Sequence, residues 1–248
     1  MTADPGDATV VQKSNFLPGG RMVPAERGWS WLAGGWGLFR KAPGTWIGMI
    51  VVLFVIFVVL AVIPFVGAIA TSVLMPVFTA GLVLACRKID QGGEPQFSDL
   101  FAGFQNRFGV LVSVGLISLA AQVAILLVAA LATGAGVLSL LAGTADLRAV
   151  GTTLILAALV VLALMVPLLM AIWFAPPLIL FHERSALDSI KGSFSGCLRN
   201  VVPFLVYGVA GLLLAIVATI PLGLGWLVLG PVIAASVYTA YRDIFIAA

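Results

Sequence analysis

APGTWIGMIVVLFVIFVVLAVIPFVGAIATSVLMPVFTAGLVLAC, residues 42–86, runs for 45 residues without an Asp, Glu, Lys, Arg or His. A spanning helix needs roughly 20 apolar residues, at about 1.5 Å each, to cover a hydrocarbon core of about 30 Å. The stretch therefore predicts two bilayer crossings joined by a turn, and Pro64-Phe65-Val66-Gly67 supplies turn chemistry at its midpoint. Residues 47–63 alone contain 14 Leu, Ile, Val or Phe side chains. At about −0.3 to −0.6 kcal/mol each, these favour insertion by roughly −4 to −8 kcal/mol, and no charge opposes them.

Working outward, the charge-free runs 108–145, 149–181 and 200–241 follow. The last divides at Pro221-Leu222-Gly223. Asp146 and Arg148 separate the middle two, because a charge at the bilayer centre costs about 2.5–3.5 kcal/mol. The segment from Thr133 to Thr144 reads as a connection with room for a short interfacial helix, and Pro167, Pro176 and Pro177 predict a kink or an exit from hydrocarbon in the fourth helix. The expected fold is an all-α membrane protein of six transmembrane helices in three hairpins, about 44–64, 67–86, 108–131, 151–174, 201–220 and 223–241. Residues 24–248 form one polytopic membrane domain. Residues 1–23 lack the apolar run of a secretory signal and read as a flexible cytoplasmic tail.

Composition agrees. The chain is 62% hydrophobic and only 9% charged, with a mean hydropathy of +1.18, whereas soluble domains carry about 25% charged residues. A water-soluble fold could not cover its surface with so few ions. Placement of Lys and Arg predicts orientation. With six crossings, 12 of the 13 basic residues fall on the side of the two termini and Arg148 alone on the other, a positive-inside bias that puts both termini in the cytoplasm. Trp46 and Trp173 would then mark the inner interface and Trp226 the outer one.

The inner segments carry helical periodicity of their own. Trp29, Leu32, Trp36 and Phe39 precede the first hairpin; Phe97, Leu100, Phe101, Phe104 and Phe108 precede the second; Leu187, Ile190, Phe194, Cys197, Leu198 and Val201 precede the third. Ser185 through Asp188 reads as a capping box for the last of these. Three amphipathic helices lying on the inner leaflet are expected, one before each hairpin. Phe101, Gly103 and Gly115 align without gaps to Phe194, Gly196 and Gly208, which suggests an internal threefold repeat.

Little reads as chemistry. His182 is the single histidine, too few for a His-based metal cluster, and a solvated interfacial residue is its expected state. Ser185, Ser189, Ser193 and Asp188 lie near it, but capping accounts for Ser185 and Asp188. Gly34-Gly35 and Gly92-Gly93 do not form a phosphate loop. Cys86 and Cys197 make no ligand pattern and read as unpaired and reduced. No catalytic residue, metal site or cofactor is expected. No ionisable residue falls inside a predicted crossing, where ion-coupled transporters usually place them. Gln122 is the most polar embedded side chain; it either hydrogen-bonds between helices or lines a cavity. Gly81, Ala85, Ala235 and Thr239 read as helix contacts. Arg40, Lys41, Arg87, Lys88 and Arg199 are candidate lipid-headgroup contacts, or serve only to fix topology.

The stretch Gly35 to Gly44, the segment from Arg87 through Asp99-Leu100-Phe101-Ala102-Gly103-Phe104, the run from Ala175-Pro176-Pro177-Leu178 into Ser193-Phe194 and Leu198-Arg199-Asn200, and the closing Tyr238 to Phe245 resemble a family of uncharacterised proteobacterial inner-membrane proteins. The chain is similar, more distantly, to the membrane domain fused to some glycerophosphodiester phosphodiesterases. That domain is not their catalytic part, so the resemblance implies a bacterial inner membrane and transfers no site residue. Two function classes remain in front: a non-catalytic protein organising lipid or a membrane protein partner, and a small permease or channel for an apolar or weakly polar solute. A lipid enzyme lacks a nucleophile or metal set. Membrane lipids are the expected partners; nucleic acid is not.

Overall fold

A computed structural model describes residues 15–142 and 147–247. In chain order the helices are α1 (Arg27–Lys41), α2 (Pro43–Ala61), α3 (Val66–Asp90), a 3₁₀ turn (Phe97–Phe101), the short α4 (Ala102–Gln105), α5 (Phe108–Leu141), α6 (Leu147–Trp173), α7 (Ala175–His182), α8 (Ala186–Arg199), α9 (Val201–Thr219) and α10 (Trp226–Phe245). Among the described residues five helical stretches are long and apolar enough to cross a membrane: Pro43–Ala61, Val66–Asp90, Phe108–Gly134, Val150–His182 and Val201–Thr219. The expected last crossing, 223–241, forms α10, which starts at Trp226 and falls outside this set. Its final turns carry Tyr241, Arg242 and Asp243, which dilute its hydropathy.

Local chemistry accounts for most boundaries. Ala42 precedes Pro43, and the proline ring excludes the helical conformation from the residue before it. Ala42 accordingly sits at φ −150°, ψ 61°, separating α1 from α2. The turn at Pro64–Gly67 places Phe65 at φ 60°, and that after Pro221 places Leu222 at φ 55° and Gly223 at φ 82°. Helix α3 closes with a Schellman motif: Gly92 at φ 83°, its N–H on the Ile89 carbonyl and the Gly93 N–H on the Lys88 carbonyl.

Several expectations need correction. The third helix does not stop near 131; α5 continues unbroken to Leu141, through the region read as a connection. Asp146 lies outside the described residues, and Arg148 stands in the first turn of α6. Helix α6 runs through Pro167, and the break in the fourth helix falls at Phe174, just before Pro176 and Pro177 in the first turn of α7, as two of the three prolines predicted. There the Ser193 hydroxyl from α8 inserts between the Phe174 N–H, which donates to it at 2.9 Å, and the Met170 carbonyl, to which it donates at 2.6 Å. A side chain entering the i→i−4 ladder is a recognised cause of kinking.

The expected inner-face helices divide three ways. Residues 97–108 are not one helix: a 3₁₀ turn and α4 precede a break at Arg107, φ 61°. Their phenylalanines still form a partly exposed row, Phe104 stacking on Phe108 with centroids 5.5 Å apart. Helix α8 begins as expected, Ser185 accepting from the Asp188 N–H at 3.2 Å. Its inward face, however, is the small-residue face, Ser189, Gly192, Ser193, Gly196 and Cys197. Helix α1 is no surface float. Leu32 and Phe39 are buried, but Trp29 and Trp36 of the same stripe stay 55% and 44% exposed, because the buried stripe is Gly28, Trp31, Gly35 and Leu38. Glycine lets the backbones touch: a Cβ on Gly35 would lie 2.4 Å from the Val232 carbonyl of α10, and one on Gly28 2.1 Å from the Pro203 carbonyl of α9.

Other details follow. The paired glycines of the suggested repeat differ in surroundings: a Cβ on Gly115 would lie 2.5 Å from the Val73 carbonyl, whereas one on Gly208 would meet nothing within 4 Å. Trp46 is fully buried, so it belongs to the core and not to an aromatic belt. Residues 15–23, expected to be part of a flexible tail, are tied down: the Leu17 N–H bonds the Phe245 carbonyl and the Arg21 N–H the Ile244 carbonyl, each at 2.8 Å. The buried Asn200 accepts from the Val23 N–H at 2.8 Å and donates to the Arg21 carbonyl at 2.8 Å. Residues 1–14 lie outside the described residues.

Gly35→Ala should therefore lower the unfolding free energy by about 1–3 kcal/mol through overpacking, while Gly37→Ala, with open space at its Cβ, should be neutral or slightly stabilising. Thermal unfolding in detergent, followed by circular dichroism, measures both.

Candidate functional site

Two concavities stand out, one polar and one apolar. The polar one is a cleft of about 630 Å³ where α1, the end of α3, the end of α10 and the N-terminal segment meet. Arg21, Arg27, Arg40, Lys41 and Arg242 line it against two acids, Asp90 and Asp243. The basic residues at the ends of α1 and α10 suit the negative ends of those helix dipoles, so sequence-local forces already favour their positions.

Asp243 is the organising group. It is only 8% exposed. Its Oδ2 accepts from Arg27 Nε at 2.6 Å and from the buried Trp31 indole at 2.9 Å. Arg21 donates to its backbone carbonyl at 2.7 Å and approaches Oδ1 at 3.4 Å. Burial works against ionisation, but the hydrogen bonds from Arg27 and Trp31 and the charges of Arg27 and Arg21 outweigh it, holding the carboxyl below its usual range. The Arg27 guanidinium is raised in turn, chiefly by its hydrogen bond to Asp243. Nearby, Asp90 accepts from the Tyr238 hydroxyl at 3.1 Å and from Arg242.

The five candidate headgroup contacts separate. Arg40 and Lys41 line the cleft, and among the described residues neither has an acidic partner. Arg87 instead lies over the Phe181 ring, 4.9 Å from its centroid. Lys88 pairs with the buried Asp99, and Arg199 donates to the Gly20 carbonyl at 3.1 Å. These three hold the protein together. Arg21, Arg27, Arg242, Asp90 and Asp243 were not foreseen. They meet only through tertiary pairing, Arg27 and Asp243 being 216 residues apart, and no local pattern carries that information.

Gln122 does line a cavity, of about 570 Å³ between α2, α3, α5, α6 and α10. Its amide donates to Ser118 Oγ at 2.9 Å on its own helix. His182 is not the solvated residue expected. It stacks on Phe16, centroids 3.6 Å apart, and its Nε2 meets the Tyr241 hydroxyl. Cys86 and Cys197 are free, as read from the sequence, and both are buried. Burial pushes the Cys197 thiol up to about 12, which makes it unreactive. Among the described residues no group of three or more His, Cys, Asp or Glu could hold a metal.

Lowering of the Asp243 pKa fixes the sign of a pH effect. Its ionised form contributes stability that is fully present above the unfolded value of about 4 and is lost as pH falls through the lower folded value. Asp243→Asn should thus be less stable than wild type by a constant margin at pH 5–7, and the margin should close below about pH 4. Unfolding midpoints across that range read it.

Comparison with known proteins finds a relative. The chain is 28% identical over 206 residues to a probable inner membrane protein of Burkholderia thailandensis, covering 78% of this chain and 75% of that one. No family model matches, and no solved structure does. Nothing in these comparisons ties the chain to glycerophosphodiester phosphodiesterases. Among the described residues five helical stretches are long and apolar enough to cross a membrane, which fits the name of that relative.

Proposed function

We propose that the chain crosses the inner membrane six times, with α10 as the sixth crossing and both termini in the cytoplasm, and that its basic cleft binds anionic lipid headgroups. In this reading the protein is non-catalytic and organises lipid, or a membrane protein partner, at the inner leaflet. The observation that carries it is the convergence of five basic side chains on one cleft with two acids, where Arg40 and Lys41 keep their charge available. Orientation draws support from the connections among the basic segments. Arg107 donates to the Arg184 carbonyl at 3.3 Å, Arg242 pairs with Asp90, and Arg199 reaches the N-terminal segment. All lie at one end of the bundle, the end a positive-inside bias would hold in the cytoplasm. A small permease for an apolar or weakly polar solute is the second reading, favoured by the cavity beside Gln122.

A basic residue near an anionic surface contributes about 1 kcal/mol, so the double substitution Arg40→Gln with Lys41→Gln should weaken phosphatidylglycerol binding about thirtyfold. The matched pair Arg87→Gln with Lys88→Gln should weaken it far less. Titration of the purified protein with short-chain phosphatidylglycerol and phosphatidylcholine, followed by native mass spectrometry, measures both. Equal affinity for the two lipids, or no loss in the first double variant, would refute the headgroup reading.

A further inference from the structure

The cavity beside Gln122 has a chemical character of its own. None of its lining side chains is ionisable as acid, base or histidine; they are aliphatic, Trp173, a few hydroxyls and one amide. At about 570 Å³ it falls in the range of about 300–1,000 Å³ occupied by small-molecule sites. Uncompensated charge in such a place is strongly disfavoured, so an ionic ligand is excluded.

Several of the lining groups are polar. Gln122 spends one amide N–H on Ser118, leaving its second N–H and its carbonyl oxygen. Thr71 and Ser72 line the same space, and among the described residues their hydroxyls have no protein partner. Pro76, which also lines the cavity, has no N–H and cannot donate to the Ser72 carbonyl four residues earlier. In hydrocarbon a freed carbonyl must find another donor.

The way in is lateral. Toward the end carrying the basic cleft, the same helices present Trp46 and Met49 of α2, Cys86 of α3 and Tyr238 of α10, all buried in one cluster. At the rim Met75 and Leu169 are about half exposed, on the side where the apolar helices face lipid.

We infer that this cavity binds an uncharged lipophile with a hydroxyl head, taken up sideways from the bilayer, the hydroxyl meeting Gln122 and the Ser72 carbonyl and the tail leaving past Met75 and Leu169. The site shares no lining residue with the basic cleft, so it stands whether or not the cleft binds headgroups. It concerns occupancy of the same space invoked for a permease and requires no passage through the protein.

The test is photolabelling of the full protein in liposomes with a long-chain primary alcohol bearing a diazirine. The probe is matched against the carboxylate and the plain alkane of equal length, and adducts are mapped by peptide mass spectrometry. The alcohol should mark Met75, Trp173 and Ile233, and this labelling should fall about fivefold in Gln122→Leu, the loss of roughly one hydrogen bond, and also in the space-filling Ala234→Leu. If Ala234→Leu fails to fold, Gly230→Ala replaces it, since its added methyl would meet only Ile50, at 3.5 Å. The carboxylate and alkane should mark outward positions such as Phe54 and Leu156. Labelling confined to outward positions, equal cavity labelling by alcohol and carboxylate, or undiminished labelling in Gln122→Leu would each overturn the inference.

Discussion

Hydrocarbon will not accept an uncompensated ion, and that cost shapes the whole chain. At about 2.5–3.5 kcal/mol for each charge near the bilayer centre, the apolar runs must be free of ions, and the ions must collect where the runs end. Once collected, they meet. Arg21, Arg27 and Asp243 join the start of the described chain to its end, Asp90 joins α3 to α10 through Arg242, and Asp99 joins the 3₁₀ turn to α3 through Lys88. The polar end of the molecule is thus a web of charge contacts between segments far apart in sequence. The apolar body is held by backbone proximity, at Gly28, Gly35, Gly81, Gly103 and Gly115, the small-residue packing expected where lipid provides no hydrophobic drive between helices.

The same division explains what could be read in advance. Turns are written in local composition, so the prolines at residues 64 and 221 located the ends of α2, α3, α9 and α10 to within a few residues, whereas α5 runs ten residues past its expected end. Capping is local too, and Ser185 behaved as its neighbours implied. Faces were harder. In α1 the exposed Trp29 and Trp36 fit the outward face read from the aromatic periodicity, but the packed stripe through Gly28 and Gly35 was missed, because a glycine contributes contact by absence and leaves no hydrophobic signature. In α8 the serines and glycines turn inward for the same reason. The break at Phe174 was legible in Pro176 and Pro177, but the hydroxyl that fills it, 19 residues away, was not.

Of the candidate site, half was legible. Arg40 and Lys41 line the polar cleft, and Gln122, read either as a hydrogen-bonding group or as a cavity residue, both bonds Ser118 and lines the apolar space. Arg87, Lys88 and Arg199 look equivalent in sequence but are engaged by Phe181, Asp99 and Gly20. Charge density alone cannot separate a cation held by its own protein from one left for a ligand. Asp243 shows the converse. It appears as one acid in a closing Tyr-Arg-Asp, and only the fold reveals that two arginines and an indole converge on it.

The account rests on the polar end of the bundle facing the cytoplasm while the two midpoint turns face outward. Single cysteines at Gly92 and at Leu222, probed with a membrane-impermeant maleimide on intact spheroplasts and again after permeabilisation, test it directly; the native Cys86 and Cys197 are buried and give little background. Leu222→Cys should react in intact spheroplasts, and Gly92→Cys only after the membrane is opened. Reaction of Gly92→Cys from outside intact spheroplasts would contradict the orientation on which the headgroup site depends.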